Sequence, residues 1–448
     1  MAADKTNSKN LSKPGSLLGS KASPHHPPKI KKPVLAGLDI GATKVSFVIA
    51  TVEAQTDLKN ETTHKLSIVG VGKSNNTGLK QGVVVNIEAT TEAIKKAKEE
   101  AELMSGYQIQ DVWVSVSGTH IKSFDSKGMV AIKNREVSKS DIDRVIEAAK
   151  AVTVPSDREV LHVLPREYKV DSQDGITDPV GMTGIRLEAN VHIVTAGQTA
   201  LSNLMKCLTR AGLKKSGLVL DPLASSLAVL SQDEKNLGVG VVDMGGGSCH
   251  LLCYLNGSVA YTSHLPVGGS HFTHDVAIGL RTPQAAAEDL KKKYGCALSS
   301  LVKEDETVEV EGVGGRKARM ISRKDLSDVI EARAEEVMGL IYHDLSQHGI
   351  LPMLGSGIVL TGGASMLEGL SELGEYVFEV PVRRGLPQNV LGLTEVIRSP
   401  EYSTAVGLVL YAFEQNKEKL IAQMKESNSS DPFEDFPQKI KDFFGNIF

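Results

Sequence analysis

The sequence predicts an α/β protein made of two halves of like construction. Three observations carry this. Segments with strand alternation and segments with helical periodicity interleave along the chain instead of falling into separate blocks. The stretches AGLDIGATKV (36–45) and GVVDMGGGSC (240–249) each place Asp-x-Gly after a run of small and branched apolar residues, and their aspartates, Asp39 and Asp243, stand 204 positions apart. The 448 residues are 41% hydrophobic and 23% charged, enough to fill more than one core.

Taken in order, residues 1–33 hold seven lysines against the single acid Asp4, among Ser, Pro and Gly, and predict a disordered tail. PVLAGLDIGATKVSFVIA then reads as a strand hairpin around a glycine turn. IEATTEAIKKAKEEAELM (87–104) has helical periodicity, DVWVSVSG (111–118) alternates as a strand does, and a further strand is expected around 128–133. SKSDIDRVIEAAKAV predicts a helix over 138–152 with Ser138 and Ser140 as cap candidates. Residues 238–266 repeat the hairpin pattern: apolar run, glycine turn, apolar run, Asn-Gly turn, strand. Helices follow at 283–294 and 324–345, then a buried strand, GIVL (357–360), and a helix start in ASMLEGL.

Several function classes drop out on composition. A net charge of −4 provides no global attraction to nucleic acid. The four cysteines (Cys207, Cys249, Cys253, Cys296) form no Cys-x-x-Cys pair and no zinc spacing, and read as small buried thiols. There is no apolar leader and no run of eighteen apolar residues, so a reduced, cytoplasmic protein is expected.

An aspartate that ends a buried strand before glycines can hold Mg²⁺ through water, while the glycine N–H groups close on phosphate oxygens. One such loop is an ordinary turn signal. Two matching loops suggest a clamp on a polyphosphate, with Lys44, Thr43 and Ser248 as further contacts. In GIVLTGGASMLEGL (357–370), Gly362 and Gly363 would leave room for a flat base, or form a plain strand-turn-helix joint.

The last eighteen residues, DPFEDFPQKIKDFFGNIF, hold five of the ten phenylalanines. Phe436, Ile440, Phe443, Phe444, Ile447 and Phe448 fall on one helical stripe, with Asp435 placed to cap and Pro437 suited to the first turn. The polar stretch 414–431 reads as a linker before it. Three destinations fit the stripe: the protein's own core, a partner's groove, or the membrane interface.

The two aspartate loops and the Thr-Gly-Gly turn, in this order, resemble the phosphate-1, phosphate-2 and adenosine loops of the actin, sugar-kinase and heat-shock-chaperone superfamily. Within it the chain resembles the FtsA family of bacterial cell-division actin homologues, from about 34 to 413 and again at the tail. The resemblance rests on VLHVLPREYKVDSQDGITDPVGMTGIRLEANVHIVTA (160–196), LPVGGSHFTHDVAIGL (265–280), KKYGCALSSLV (292–302), EVEGVGGRKAR (309–319) and EYSTAVGLVLYA (401–412).

This resemblance implies a two-lobed actin-like fold, a duplicated ribonuclease H-like unit, with the family's 1C subdomain and a C-terminal amphipathic helix. It implies that Asp39, Gly41, Thr43 and Lys44 form the first phosphate loop, and Asp243, Gly245, Gly246, Gly247 and Ser248 the second. Gly362 and Gly363 would seat adenosine, Glu288 and Lys291 the ribose unless they are a solvated pair, and Asp39 and Asp243 would hold Mg²⁺ with ATP. Ala42 departs from the usual hydroxyl residue after the first-loop glycine, so that loop alone also fits a sugar kinase. Asp221 before Pro222 resembles the water-positioning acid of hydrolytic relatives, or is a helix cap.

The implied layout is 34–85 and 186–215 as subdomain 1A, with 86–185 as 1C between them. Residues 216–267 and 331–397 would form 2A around 2B at 268–330, and 398–413 would return to 1A. The linker 414–431 and the membrane-targeting helix 432–448 close the chain. The implied function is an ATP-binding protein with slow or no hydrolysis, which polymerises and anchors the division protein FtsZ to the cytoplasmic face of the inner membrane at the division site. Subdomain 2B would receive the FtsZ C-terminal peptide, with Arg316, Lys317, Arg319 and Arg323 either aiding it or forming a solvated face. Subdomain 1C would meet other division proteins and neighbouring protomers. A pilus-assembly actin homologue and a small-molecule kinase are the alternatives. A kinase would have no use for the tail, and a chaperone would need a peptide-binding domain for which too few residues remain after 413.

Overall fold

A computed structural model of the chain describes residues 32–56 and 62–429. The first predicted hairpin is β1 (Val34–Ile40) and β2 (Lys44–Thr56), antiparallel, with Asp39 opposite Ser46. β3 (Thr62–Asn75) continues the meander, while β4 (Asp111–Val116) and β5 (Lys214–Leu220) add in parallel on the other side of β1. The order is β3-β2-β1-β4-β5. A second sheet repeats it. β6 (Val239–Met244), β7 (Cys249–Leu255) and β8 (Ser258–Leu265) form the meander, and β9 (Ile358–Thr361) and β10 (Val382–Arg384) add in parallel, giving β8-β7-β6-β9-β10. A short strand, Val390–Gly392, extends the first sheet beside β3.

β6 is buried along its whole length, as its Val-rich run predicts for a strand covered on both faces. Helix α1 (Ile87–Ser105) begins at Asn86, whose side chain accepts from the Ala89 N–H, and ends at Gly106 in the left-handed region. Its apolar stripe of Ala93, Ile94, Ala97 and Ala101 packs in one core with Leu38, Phe47 and Val114. Helix α2 (Lys139–Lys150) starts at Ser138, as predicted, with Asp141 accepting from the Ser138 N–H at 3.0 Å and from its hydroxyl at 2.6 Å.

Helix α2 belongs to an inserted unit. Its sheet holds the strands Ile121–Ala131, Arg186–Gly197, Arg158–Val170 and Gln173–Ile176, in that spatial order, over a core of Val145, Ala149, Leu187 and Val191. This corrects the expected insert of 86–185. Helix α1 and strand β4 build the first sheet's core, and Arg186–Gly197 is an inner strand of the insert, paired on both edges. The break was misplaced because α1 and α2 look alike as amphipathic helices, and only strand pairing separates them.

The second half carries α3 (Asp221–Val229), α4 (Gly269–Gly279), α5 (Gln284–Tyr294) and α6 (Arg323–Gln347). The helix expected from ASMLEGL is a single 3₁₀ turn, Gly363–Met366, and the α-helix Leu370–Phe378 begins only after Gly369. Gly362 and Gly369, both at positive φ, punctuate this joint.

Helix α7 (Ser403–Ser429) corrects the predicted linker, since residues 414–429 continue one helix. Phe413, Leu420 and Met424 recur at helical spacing on its inner side and pack on the core of Val406 and Val409. The polar outer face hid this. Among the described residues no helix is long and apolar enough to cross a membrane. The stripe at 432–448 and the basic tail up to residue 31 lie outside the described residues.

Candidate functional site

The two glycine turns meet at the mouth between the two sheets. In the first, the Gly41 N–H donates to the Lys44 carbonyl at 2.8 Å. In the second, the Gly245 N–H donates to the Ser248 carbonyl at 2.9 Å, the same closure. A Cβ on Gly246 would stand 2.5 Å from the Thr43 side chain, and one on Gly247 3.0 Å from Cβ of Ala42. Only glycine allows this approach, so the sequence echo is a contact in space. The loops also lean on the start of α4, where the Gly269 N–H donates to the Gly245 carbonyl at 2.9 Å and the Ser270 N–H to the Gly246 carbonyl at 2.7 Å.

Three carboxyls crowd the floor. The Ser115 hydroxyl donates to Asp39 at 2.9 Å, and the Thr404 hydroxyl to Asp243 at 2.9 Å. Burial pushes Asp39 up to about 6, against the pull of Lys44 and with a further push from Asp243. Burial also raises Asp243, against hydrogen bonds from Thr404 and Ser225. Asp221 goes well above the carboxylate range through burial, then through Asp39 and Asp243, and its Oδ1 is buried without a hydrogen-bond partner. Asp221 sits inside the first turn of α3 and makes no capping bond, so it is not the helix cap that its place before Pro222 allowed.

The Thr-Gly-Gly turn lies against this floor. Thr361 pairs with Asp243 across β9 and β6, and a Cβ on Gly362 (φ +82°) would fall 2.3 Å from Oδ1 of Asp243. The Gly362 N–H donates to the Pro400 carbonyl at 3.2 Å, and the nearest atom to a Cβ on Gly363 is Cβ of Glu401, 3.9 Å away. Glu288 and Lys291 are not a solvated pair. Their ion pair spans 2.7 Å, and Lys291 Nζ also donates to the Gly269 carbonyl at 2.9 Å and to Thr273 at 2.8 Å. These bonds tie α5 to the Gly245 loop through Gly269.

Lys44 is engaged from the other half of the chain. Its ammonium donates to the Glu401 carbonyl, lies 3.3 Å from the Glu401 carboxylate, and sits 5.0 Å from the Tyr402 ring centre. Burial lowers Lys44, while Lys44 and Lys73 outweigh burial at Glu401 and hold that carboxylate low. The basic residues near 316–323 also divide. Arg323 is locked between Glu306 at 2.6 Å and Glu368 at 2.5 Å, and Arg319 donates to the Leu280 carbonyl at 2.5 Å, whereas Arg316 and Lys317 are exposed.

The sequence did not point to Ser115, Thr404, Glu401 or the Gly268–Gly269 pair. Only the glycine pair carried a local signal, Val-Gly-Gly before a helix. Ser115 and Thr404 are hydroxyl residues inside apolar runs, and nothing nearby marks them.

A family model described as "Cell division protein FtsA" matches residues 240–407, and one described as "SHS2 domain inserted in FTSA" matches 118–195, the stretch of the four-stranded insert. Cell division protein FtsA of Pseudomonas aeruginosa is 43% identical over 397 residues, which cover 89% of this chain and 93% of the relative. The Escherichia coli K12 protein of the same name is 40% identical over 390 residues, 86% of this chain and 91% of the relative. Among solved structures, the PilM-PilN type IV pilus biogenesis complex aligns with a TM-score of 0.58 at 18% identity, over 84% of this chain and 98% of that one. MreB 5 of Spiroplasma citri bound to AMPPNP aligns with a TM-score of 0.51 at 15% identity, over 88% and 99%. The two structures share the fold. The relatives, matched along nearly their whole length, settle the lineage: the chain belongs to the FtsA family of actin-like cell-division proteins.

Proposed function

We propose that this chain binds ATP between its two aspartate-glycine loops, polymerises, and couples FtsZ to the membrane at the division site through its C-terminal helix. The observation that carries the reading is the approach of Thr43 to Gly246, which brings the two matching loops into contact. Free N–H groups of both turns would surround the phosphates, with Ser248 as a hydroxyl contact. The Gly362–Gly363 turn would carry the base, and Glu288 with Lys291 the ribose. The MreB 5 structure of the same fold is titled as bound to AMPPNP.

The floor fits Mg²⁺. Burial raises the proton affinity of all three carboxyls, Asp243 adds to the rise at Asp39, both add to that at Asp221, and the Asp221 Oδ1 has no hydrogen-bond partner. Among the described residues no three acid, His or Cys side chains close on one point as direct ligands, which suits a hydrated cation held by Asp39 and Asp243 through water. The bound ion would neutralise charge on the phosphates. Asp221 is the candidate for positioning an attacking water, and with no second carboxylate proposed for that role hydrolysis would be slow or absent.

Outside the cleft, the region 268–330 would take the FtsZ C-terminal peptide, the insert would meet other division proteins and neighbouring protomers, and 432–448 would lie in lipid on the cytoplasmic face of the inner membrane. The test of the cleft is titration of the full chain with fluorescent ATP and Mg²⁺. Asp243→Ala should abolish binding, and wild-type affinity in that variant would remove the two-loop site. A fluorescent fusion forming midcell rings in dividing cells tests the rest.

A further inference from the structure

Behind the second glycine loop, the buried ring of His250 and the half-buried ring of His264 lead away from Ser248. The Ser248 hydroxyl oxygen lies 2.9 Å from Nε2 of His250, and Nδ1 of His250 lies 3.2 Å from Nδ1 of His264. Nε2 of His264 is buried with no hydrogen-bond partner, as are both ring nitrogens of His120. Burial holds His250 at about 3 and His264 and His120 at about 4, so all three are neutral near pH 7. Each ring then carries one N–H, and the chain of contacts decides where.

Two arrangements satisfy both contacts. In one, His250 donates from Nδ1 to His264 and accepts the Ser248 hydroxyl proton at Nε2. His264 must then keep its proton on Nε2, a buried N–H facing no acceptor. In the other, His264 donates from Nδ1 to His250, and Nε2–H of His250 donates to the Ser248 oxygen. Its only cost is an unshared lone pair on Nε2 of His264. Orphaned buried N–H groups are the rarer and more costly case, so the second arrangement prevails. With its oxygen already accepting from His250, Ser248 has its own O–H left to give.

We propose that His250 and His264 are positioning residues that make the Ser248 hydroxyl a hydrogen-bond donor to a nucleotide phosphate; this rests on the two-loop reading above. The relay also touches the insert. His264 is two residues from Thr262, whose hydroxyl lies 2.9 Å from Nε2 of His192 and whose carbonyl accepts from Ser123 at 3.3 Å. The strand that orients Ser248 is the strand on which the insert docks.

The test uses the full chain, fluorescent ATP with Mg²⁺, and melting curves as a check on folding. His250→Leu keeps an apolar side chain of similar bulk and removes the donor. It should weaken ATP binding roughly ten- to a hundredfold, the size of one hydrogen bond to a charged acceptor. His250→Gln, whose amide N–H reaches the same oxygen, should recover most of that loss. In a Ser248→Ala background, His250→Leu should cost nothing further. The partly exposed His264 provides a second variant, since His264→Leu should weaken binding only while Ser248 is present. The relay is wrong if His250→Leu binds ATP as the parent does, if its loss adds to that of Ser248→Ala, or if Gln is as poor as Leu. The two-loop site fails differently: Asp243→Ala and Ser248→Ala would then both bind as the parent does.

Discussion

The ammonium of Lys44 donates to the main-chain carbonyl of Glu401 at 2.5 Å and lies 3.3 Å from its carboxylate. Lys73 holds the same carboxylate at 2.8 Å. Glu401 thus occupies the cation of the first glycine loop, from a position beside Gly363. If the proposed cleft takes a nucleotide, its phosphate would compete with Glu401 for Lys44. Glu401→Gln keeps the main-chain bond but removes the carboxylate's charge, so it should loosen the hold on Lys44 and tighten ATP binding by about fivefold, the equivalent of roughly 1 kcal/mol. Titration with fluorescent ATP checks this. Weaker binding would mean that Glu401 holds Lys44 in place for the phosphate.

The acidic floor predicts how stability responds to pH. Asp39 binds its proton more tightly folded, at about 6, than the ordinary value of 3.8. Its contribution is fully present below about pH 4 and is lost as pH rises through about 6, with Asp221 and Asp243 shifted in the same direction. Nucleotide-free protein should lose on the order of 1–3 kcal/mol over that window through Asp39. Denaturant midpoints measured from pH 4 to 7 should show the fall in the parent and a flatter profile in Asp39→Asn. Millimolar Mg²⁺ should recover part of the loss if the floor holds the ion.

Arg319, though exposed, is tied to the Leu280 carbonyl, whereas Arg316 and Lys317 are exposed without such a tie to another element among the described residues. Reversing both to Glu should weaken co-sedimentation with FtsZ filaments, more at 50 mM salt than at 300 mM, because exposed charges are screened over a Debye length of about 10 Å at 0.1 M. Arg323→Glu should instead lower the melting temperature, since Arg323 holds Glu306 and Glu368. Equal FtsZ binding at both salt levels would separate the basic run from docking.

Phe443→Glu or Phe444→Glu would put a charge on the face that the proposal buries in lipid, costing several kcal/mol. The variants should keep the parent melting temperature and ATP affinity yet no longer pellet with anionic liposomes. Deletion of 432–448 should do the same, and the parent should bind liposomes more tightly when polymerised. A large drop in melting temperature with liposome binding intact would place the stripe in the protein's own core.

Much of this was legible because it is local. The two Asp-x-Gly hairpins and most helices follow from periodicity and glycine placement, and the recurrence of one motif announced the duplicated sheets. The insert's edges were not legible, because they depend on which strand pairs with Arg186–Gly197. The helical course of 414–429 was hidden by its polar face, with Leu420 and Met424 too sparse to announce a buried side. The partners of the loops were hidden for the same reason as Glu401: it lies 357 residues from Lys44, and no local pattern spans that distance.

The shared strand order of the two sheets has a consequence for what the nucleotide does mechanically. Each half supplies one glycine turn closed by the same hydrogen bond, Gly41 to Lys44 and Gly245 to Ser248. A ligand seated there would work as a rivet between the two halves. Severed near residue 235, the chain should yield fragments whose reassociation depends on ATP far more than the intact fold does.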